Sequence, residues 1–321
     1  MSKALIIGGS RFVGPEIIKR LLKNGDTVTT FNRGNNYGKK ISRKVRNIKG
    51  DRVVLKDLQK LKASKYDYIY DMCCFDPKDA SLLLKILKPK SHLVFFSSAA
   101  VYKKTRVYPL LEESRLGSWP TFGDYGERKA KIEKIYQAYC QKNNLKLTIF
   151  RPTYLLGENN YFDRENYFFS RILNNKPILI PGMGDSVLQF SFLDDTAEAF
   201  FRIPKNQKKQ IEKINIAGND LVSIKNFILL CGDIVGKKPK LINIANGQFG
   251  IFEEEFYDDL YPFPNVTFIT SNKKLVEDYG IKMTKLEDGL KKIYKAWLKN
   301  WDHKTHVYKM EKDILNKFHT K

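Results

Sequence analysis

The chain is 321 residues long and carries 57 Lys plus Arg against 35 Asp plus Glu, a net charge of +22. Hydrophobic residues make up 42% and aromatics 13%, with no excess of Gly or Pro, which excludes a disordered or fibrous polymer. The apolar runs are strand-sized, well short of the roughly 18 residues of a membrane-spanning helix, so a soluble, cytoplasmic protein with no membrane partner is expected.

Ala4 to Ile7 is a short, fully apolar run, the pattern of a parallel strand buried on both faces. Gly8-Gly9-Ser10-Arg11-Phe12-Val13-Gly14 follows at once, and Phe12, Ile17, Ile18, Leu21 and Leu22 then recur at helical spacing up to Asn24-Gly25. Thr27 to Phe31 reads as a second strand, Tyr66 to Asp71 and His92 to Ser98 as later ones, with a helix over Leu82 to Leu87 between them. A helix from about Glu127 to Lys142 leads to a further strand, Leu147 to Phe150. This alternation predicts an α/β fold, a Rossmann-type doubly wound parallel sheet. Beyond Arg151-Pro152, Pro177, Pro181, Gly182, Gly184, Gly232, Gly236, Pro239, Pro262 and Pro264 break the chain into short pieces, and a smaller C-terminal lobe is expected. The expected domains are a dinucleotide-binding unit over 1–150, joined by about 186–218, and a substrate lobe within 151–321 that ends in an amphipathic helix from Leu286 to Trp301 and a short basic helix.

Cys73, Cys74, Cys140 and Cys231 lack C-x-x-C spacing, and His92, His303, His306 and His319 make no ligand pair with them. No metal site or disulfide framework is expected. Of the basic residues, 44 are lysines scattered along the chain, as on a solvated face, and one dense cluster comprises Lys39, Lys40, Arg43, Lys44, Arg46, Lys49 and Arg52. A basic surface also gains counterion-release affinity for a polyanion, so RNA stands as an alternative partner.

The pyrophosphate of a dinucleotide needs backbone N–H groups at a helix start and a turn free of obstructing Cβ atoms. Gly8, Gly9 and Gly14 meet that need, with Ser10, Arg11, Phe12 and Val13 completing the turn. The second strand ends at Asn32-Arg33-Gly34, where NAD binders usually place an acid on the ribose 2′-OH. Arg33 there favours the 2′-phosphate of NADP(H), with NAD(H) as the alternative. Asp51 could accept from the adenine amino group or be a turn acid, and Arg52 beside it is a further candidate cofactor contact.

Tyr125 and Lys129 stand one helical turn apart. A phenol acts as an acid or base near neutral pH only if a nearby cation favours its phenolate, and Lys129 supplies one that also reaches a nicotinamide ribose. The spacing alone carries little, because Tyr308 and Lys312 repeat it. Context decides: Ser98 closes an apolar strand at the carboxyl edge of the sheet, where its hydroxyl can hold a carbonyl or alkoxide oxygen. Together with a glycine turn, the three residues point to hydride transfer.

Phe96-Ser97-Ser98-Ala99-Ala100-Val101-Tyr102, Tyr125-Gly126-Glu127-Arg128-Lys129, Arg151-Pro152-Thr153, Phe192-Leu193-Asp194-Asp195 and Asn215-Ile216-Ala217-Gly218 follow the glycine turn and Gly50-Asp51-Arg52 in order. The sequence thereby resembles an extended short-chain dehydrogenase/reductase of the NAD-dependent epimerase/dehydratase group, from Met1 to about Trp301. The resemblance implies that Tyr125 is the acid/base, Lys129 its partner and ribose ligand, and Ser98 the substrate contact. It implies further that Ser97, Pro152 and Thr153 lie at the cofactor and that the chain forms a homodimer through the helices carrying Leu82 to Leu87 and Tyr125 to Tyr139. Tyr154, Asn159 and Phe190 are candidate substrate contacts in the second lobe, beside Asn160 and Phe162.

The departures matter as much. Family 4,6-dehydratases carry Asp-Glu directly after the Ser/Thr, and here those positions are Ala99 and Ala100. What the resemblance then implies is an NADPH-dependent 4-ketoreductase or an epimerase of a nucleotide-activated sugar. Leu188 stands where sugar-nucleotide epimerases commonly carry a diphosphate-gripping Arg. Arg11 replaces the middle glycine, a pattern similar to the branch of chloroplast stem-loop binding proteins, which gives the alternative of an RNA-binding protein on a dehydrogenase scaffold.

Overall fold

The computed structural model describes residues 1–34, 44–61, 66–87, 91–162, 164–248 and 261–319. In the basic cluster, Lys39, Lys40 and Arg43 lie outside the described residues. The chain divides into two compact units: Met1–Thr153 with Leu193–Ala217 and Thr270–Lys282, and Tyr154–Phe192 with Gly218–Ile269 and Met283–Lys321.

The first unit opens with β1 (Lys3–Ile7), α1 (Val13–Lys23), β2 (Thr27–Asn32) and β3 (Arg46–Lys49). It continues through α2 (Leu55–Gln59), β4 (Tyr68–Asp71), α3 (Pro77–Leu87), β5 (His92–Phe96), α4 (Tyr125–Lys142) and β6 (Leu147–Pro152). Its sheet is wholly parallel, and later in the chain α6 (Leu193–Asn206) and β10 (Ile211–Ile216) return to complete the order β10-β6-β5-β4-β1-β2-β3. That is the doubly wound arrangement that the alternating pattern predicts. Leu5 and Ile7 of β1 share one core with Leu83 and Leu84 of α3 and with Ile132, Tyr136 and Cys140 of α4. The apolar stripes of α3 and α4 therefore pack largely inside the unit. The helix starts at Pro77, earlier than the apolar spacing suggests, because proline is well suited to the first helical turn.

The second unit holds β7 (Tyr154–Leu156), α5 (Arg164–Leu173), β8 (Pro177–Pro181), β9 (Val187–Phe192), β11 (Leu221–Ser223), α7 (Ile224–Val235), β12 (Lys240–Ile244), α8 (Leu286–Leu298) and α9 (Lys309–His319). Its strands pair as β11-β9-β7 and β12-β8. The prolines and glycines expected to break this stretch fall partly at element ends, such as Pro177 and Pro181 of β8 and Gly236, the left-handed C-cap of α7, while Gly232 lies inside α7. An aromatic core fills this unit, with Phe190 against Phe227 at 4.8 Å and against Phe263 at 5.2 Å between ring centroids.

Each unit contains a buried arginine–glutamate lock. In the second, Arg171 Nη1 donates to Glu311 at 3.1 Å and Tyr167 donates to the same carboxylate, joining α9 to α5. In the first, Arg151 of β6 is fully buried, its Nε donating to Glu133 Oε1 at 2.9 Å and its Nη2 to Oε2 at 2.5 Å. Removing one member of such a pair leaves an uncompensated buried charge. Glu133→Ala is therefore expected to cost about 3–5 kcal/mol in urea unfolding, and a cost below about 1 kcal/mol would show that the pair carries no such role.

Candidate active site

The turn between β1 and α1 is tighter than any side chain allows. A Cβ on Gly14 would fall 2.1 Å from the Gly9 carbonyl oxygen, and one on Gly9 would fall 2.5 Å from Ile6 Cγ2. Gly8 and Gly9 adopt φ of +84° and +69°, and the Gly8 amide donates to the Phe31 carbonyl at 2.9 Å, pinning the turn to β2. Phe12, the residue capping α1, has φ 48° and no side-chain oxygen with which to cap the first amides. A backbone cradle at an apolar-capped helix start fits a dinucleotide pyrophosphate.

At the end of β2, Asn32 is 9% exposed, its amide donating to Asn47 Oδ1 while its Oδ1 accepts from the Gly34 amide. The Arg33 side chain stands out into solvent, 67% exposed, with Nη1 at 3.9 Å from Asp51 Oδ2. Arg52 does otherwise. It turns inward to Asp71 at the end of β4, with Nη1 to Oδ1 at 2.5 Å, and so leaves the surface cluster in which the sequence placed it. Tyr136 donates to the other oxygen of Asp71. Arg52 Nε and Nη2 are buried with no hydrogen-bond partner among the described residues. Cys73 lies beside this group, its Sγ 2.9 Å from where a Gly8 Cβ would sit, and burial followed by the charge of Asp71 pushes its thiol up to about 11.

At the end of β5, Ser98 caps a short turn, its Oγ accepting from the Ala100 amide at 3.2 Å. The start of α4 presses onto this turn so closely that a Cβ on Gly126 would lie 2.0 Å from the Ala100 carbonyl oxygen. Glycine at 126 is what lets the start of α4, where Tyr125 is the first residue, approach the Ser98 turn. One helical turn on, Lys129 is 1% exposed and its Nζ donates to the Phe96 carbonyl at 2.8 Å. The ammonium lies 4.9 Å from the Phe95 ring centroid, 4.8 Å from Phe75 and 5.9 Å from Tyr125. Burial lowers its pKa to about 8, opposed by the charge of Asp71.

Ser97 is directed away from this edge: it is fully buried and its hydroxyl donates to Glu133 Oε1 at 2.6 Å. Pro152 is buried at the end of β6, and the Thr153 amide donates to the Ile216 carbonyl at 3.1 Å. In the second unit, Tyr154 and Phe190 are 7% and 2% exposed with ring centroids 6.3 Å apart, core aromatics instead of the pocket lining expected of them. Asn159 is exposed at φ 62°, while Asn160 donates to Glu165 Oε2 at 3.1 Å. Sequence reasoning missed Glu133, Asp71 and Tyr136. The available signal for Glu133 was its place four residues beyond Lys129 on the same helical stripe, an acid on the face that packs.

The sequence profile of the NAD dependent epimerase/dehydratase family matches residues 4–77 and 80–217. The chain belongs to that family. Among curated relatives, the chloroplast stem-loop binding protein of 41 kDa b of Arabidopsis thaliana is 28% identical over 297 residues, covering 87% of this chain and 75% of that protein. Among solved structures, the UDP-glucose 4-epimerase of Thermotoga maritima superposes with a TM-score of 0.76 at 18% identity, over 93% of this chain and 99% of that one. The dTDP-glucose 4,6-dehydratase of Bacillus anthracis, in complex with NAD, does so with 0.76 at 18%, over 94% and 97%. At such identities the superpositions establish the fold. No helix among the described residues is long and apolar enough to cross a membrane.

Because Lys129 binds its proton less readily folded than unfolded, the unfolded chain holds the extra proton between pH 8 and 10.5, and stability attributable to this group rises with pH across that window. Relative to Lys129→Met, the wild type should gain up to about 1.4 kcal/mol per pH unit there. Chemical denaturation at pH 8, 9 and 10 measures it, and parallel curves for the two proteins would refute the assignment.

Proposed function

We propose that the protein is an NAD(P)-dependent oxidoreductase acting on a nucleotide-activated sugar, as an NADPH-dependent 4-ketoreductase or a sugar epimerase. The observation that carries this reading is the buried Lys129 ammonium, held by the Phe96 carbonyl one turn beyond Tyr125 on a helix pressed against the Ser98 turn. Gly8, Gly9 and Gly14, with Arg33, Asp51 and Lys129, would hold the dinucleotide, which when bound exchanges hydride with a sugar carbon. Tyr125 delivers a proton to the sugar oxygen or removes one from it. The Lys129 charge favours the Tyr125 phenolate, so proton transfer proceeds near neutral pH. Ser98 donates to the same oxygen and fixes its position.

Ala99 and Ala100, 1% and 7% exposed, follow Ser98 where elimination of water would need an acid and a base, which favours hydride transfer without elimination. The exposed Arg33 at the end of β2 favours a 2′-phosphate, and the NAD complexes among the solved relatives keep NAD(H) as the alternative. The relative named for stem-loop binding and the +22 charge favour a second reading, RNA binding on the same scaffold. Under it, polynucleotide affinity falls steeply with salt and is indifferent to Tyr125.

Tyr125→Phe should lower turnover of a 4-keto or 4-hydroxy sugar nucleotide by at least about 10²-fold, the usual size of a general-acid contribution, with cofactor affinity intact. Undiminished turnover would sink the mechanism. In calorimetric titrations NADPH should bind at least about tenfold tighter than NADH, and Arg33→Ser should erase the difference. A preference for NADH in the wild type would instead assign an NAD(H)-retaining epimerase.

A further inference from the structure

The substrate proposed above carries a diphosphate, and the second unit offers few arginines to meet it. Arg164 and Arg171 are the two arginines in 154–192, and neither 218–269 nor 283–321 contains another. Arg171 is 2% exposed and already bound, its Nε donating to the Pro177 carbonyl at 2.6 Å and its Nη1 to Glu311 at 3.1 Å. Leu188, at the position where the resemblance leads one to look for an arginine, is fully buried in the aromatic core and contacts no ligand from there.

Arg164 is held differently. It is the first residue of α5, half-buried, with its guanidinium carbon 4.7 Å from the Phe162 ring centroid, 5.8 Å from Tyr154 and 5.9 Å from Phe263. Among the described residues its side chain makes no ion pair within 4 Å and no hydrogen bond, although its charge offsets part of the rise that burial imposes on the pKa of Glu165. The neighbouring Glu165 carboxylate is engaged by the Gly157 amide at 3.0 Å and the Asn160 side chain at 3.1 Å. Ring faces attract the guanidinium's charge without supplying acceptors for its five N–H donors, so the fork is positioned with donors available to a ligand. Beside it Tyr161 and Phe162 are 54% and 52% exposed, with centroids 4.3 Å apart, an aromatic surface suited to a base or sugar face.

We infer that Arg164 is the diphosphate contact of this protein, flanked by the Tyr161–Phe162 pair. The inference rests on the nucleotide-sugar reading and adds the residue that grips the charged half of that substrate. Aromatic confinement reduces the rotamer freedom that a long side chain loses on binding, and a planar fork matches two phosphate oxygens at once.

Titration calorimetry of the full chain with UDP, dTDP and uridine tests it. Arg164→Gln should weaken UDP or dTDP by about 10- to 100-fold, the loss of a charge-assisted hydrogen bond, and Arg164→Lys should recover part of it. Uridine, which lacks the phosphates, should bind wild type and variants alike, and unchanged NADH or NADPH affinity in each variant reports an intact fold. UDP and dTDP affinities unaltered by Arg164→Gln would overturn the role of Arg164 while leaving the nucleotide-sugar reading standing. A wild type that binds dinucleotide but none of the three probes would overturn both.

Discussion

The bidentate contact between Arg151 and Glu133 is the interaction on which the placing of α4 in the first unit depends. Glu133 sits four residues beyond Lys129 and eight beyond Tyr125, so fixing Glu133 against β6 fixes the rotation of α4 about its axis. Every arm of the arginine is occupied: Nε and Nη2 by Glu133, and Nη1 by the Tyr102 hydroxyl at 3.0 Å and the Glu112 carbonyl at 2.8 Å. Tyr102 passes the network to Asn215 of β10 at 2.5 Å, and Ser97 passes it to the end of β5. Three strands and the helix thus meet on one ion pair. Such a pair pays its desolvation only when its polar groups find partners, and here every guanidinium nitrogen has one.

Asp71 governs a second, less complete network. Its two oxygens take Arg52 and Tyr136, and its negative charge acts against the burial that depresses Lys129, keeping the ammonium chargeable near neutral pH. The same carboxylate raises the Cys73 and Cys74 thiols beyond what burial alone does, so neither is poised as a nucleophile despite two nearby cations. Each nitrogen of Arg151 has an acceptor, whereas Arg52 retains two nitrogens with none among the described residues, next to the glycine turn. In buried polar systems a complete network fixes architecture, and an incomplete one is commonly found where a ligand alters the balance.

Much of the fold was legible because its signals are local. A strand buried on both faces reads as Ala4 to Ile7, positive φ demands Gly8 and Gly9, and a close backbone approach demands Gly14. Ser98, Tyr125 and Lys129 were legible for the same reason, since strand end and helix turn set their places. The second unit was not, because proline and glycine mark ends without saying ends of what: Pro177 and Pro181 bound a strand, and Gly232 lies inside α7. Tyr154 and Phe190 looked like pocket residues, yet an aromatic-rich lobe of this size needs those rings for its own core. That Arg52, expected in the basic cluster and at the cofactor, turns to Asp71 was not legible, because Asp71 is 19 residues away and only tertiary structure brings them together.

The charge of the chain separates by residue type in a way that the net value conceals. The 44 lysines account for the basic balance, and those among the described residues are mostly on the surface, as strongly hydrated point charges. The arginines with defined environments do more specific things: Arg151 and Arg171 lock carboxylates in the two cores, Arg52 bridges β4 to the turn after β3, and Arg33 and Arg164 hold guanidinium groups away from the buried locks. A planar fork serves where geometry must be fixed, and an ammonium serves where only solubility or a single proton is at stake. Lys129 is the instructive exception among the lysines. Its burial brings its pKa down to about 8, within reach of neutral pH, a property that no arginine has.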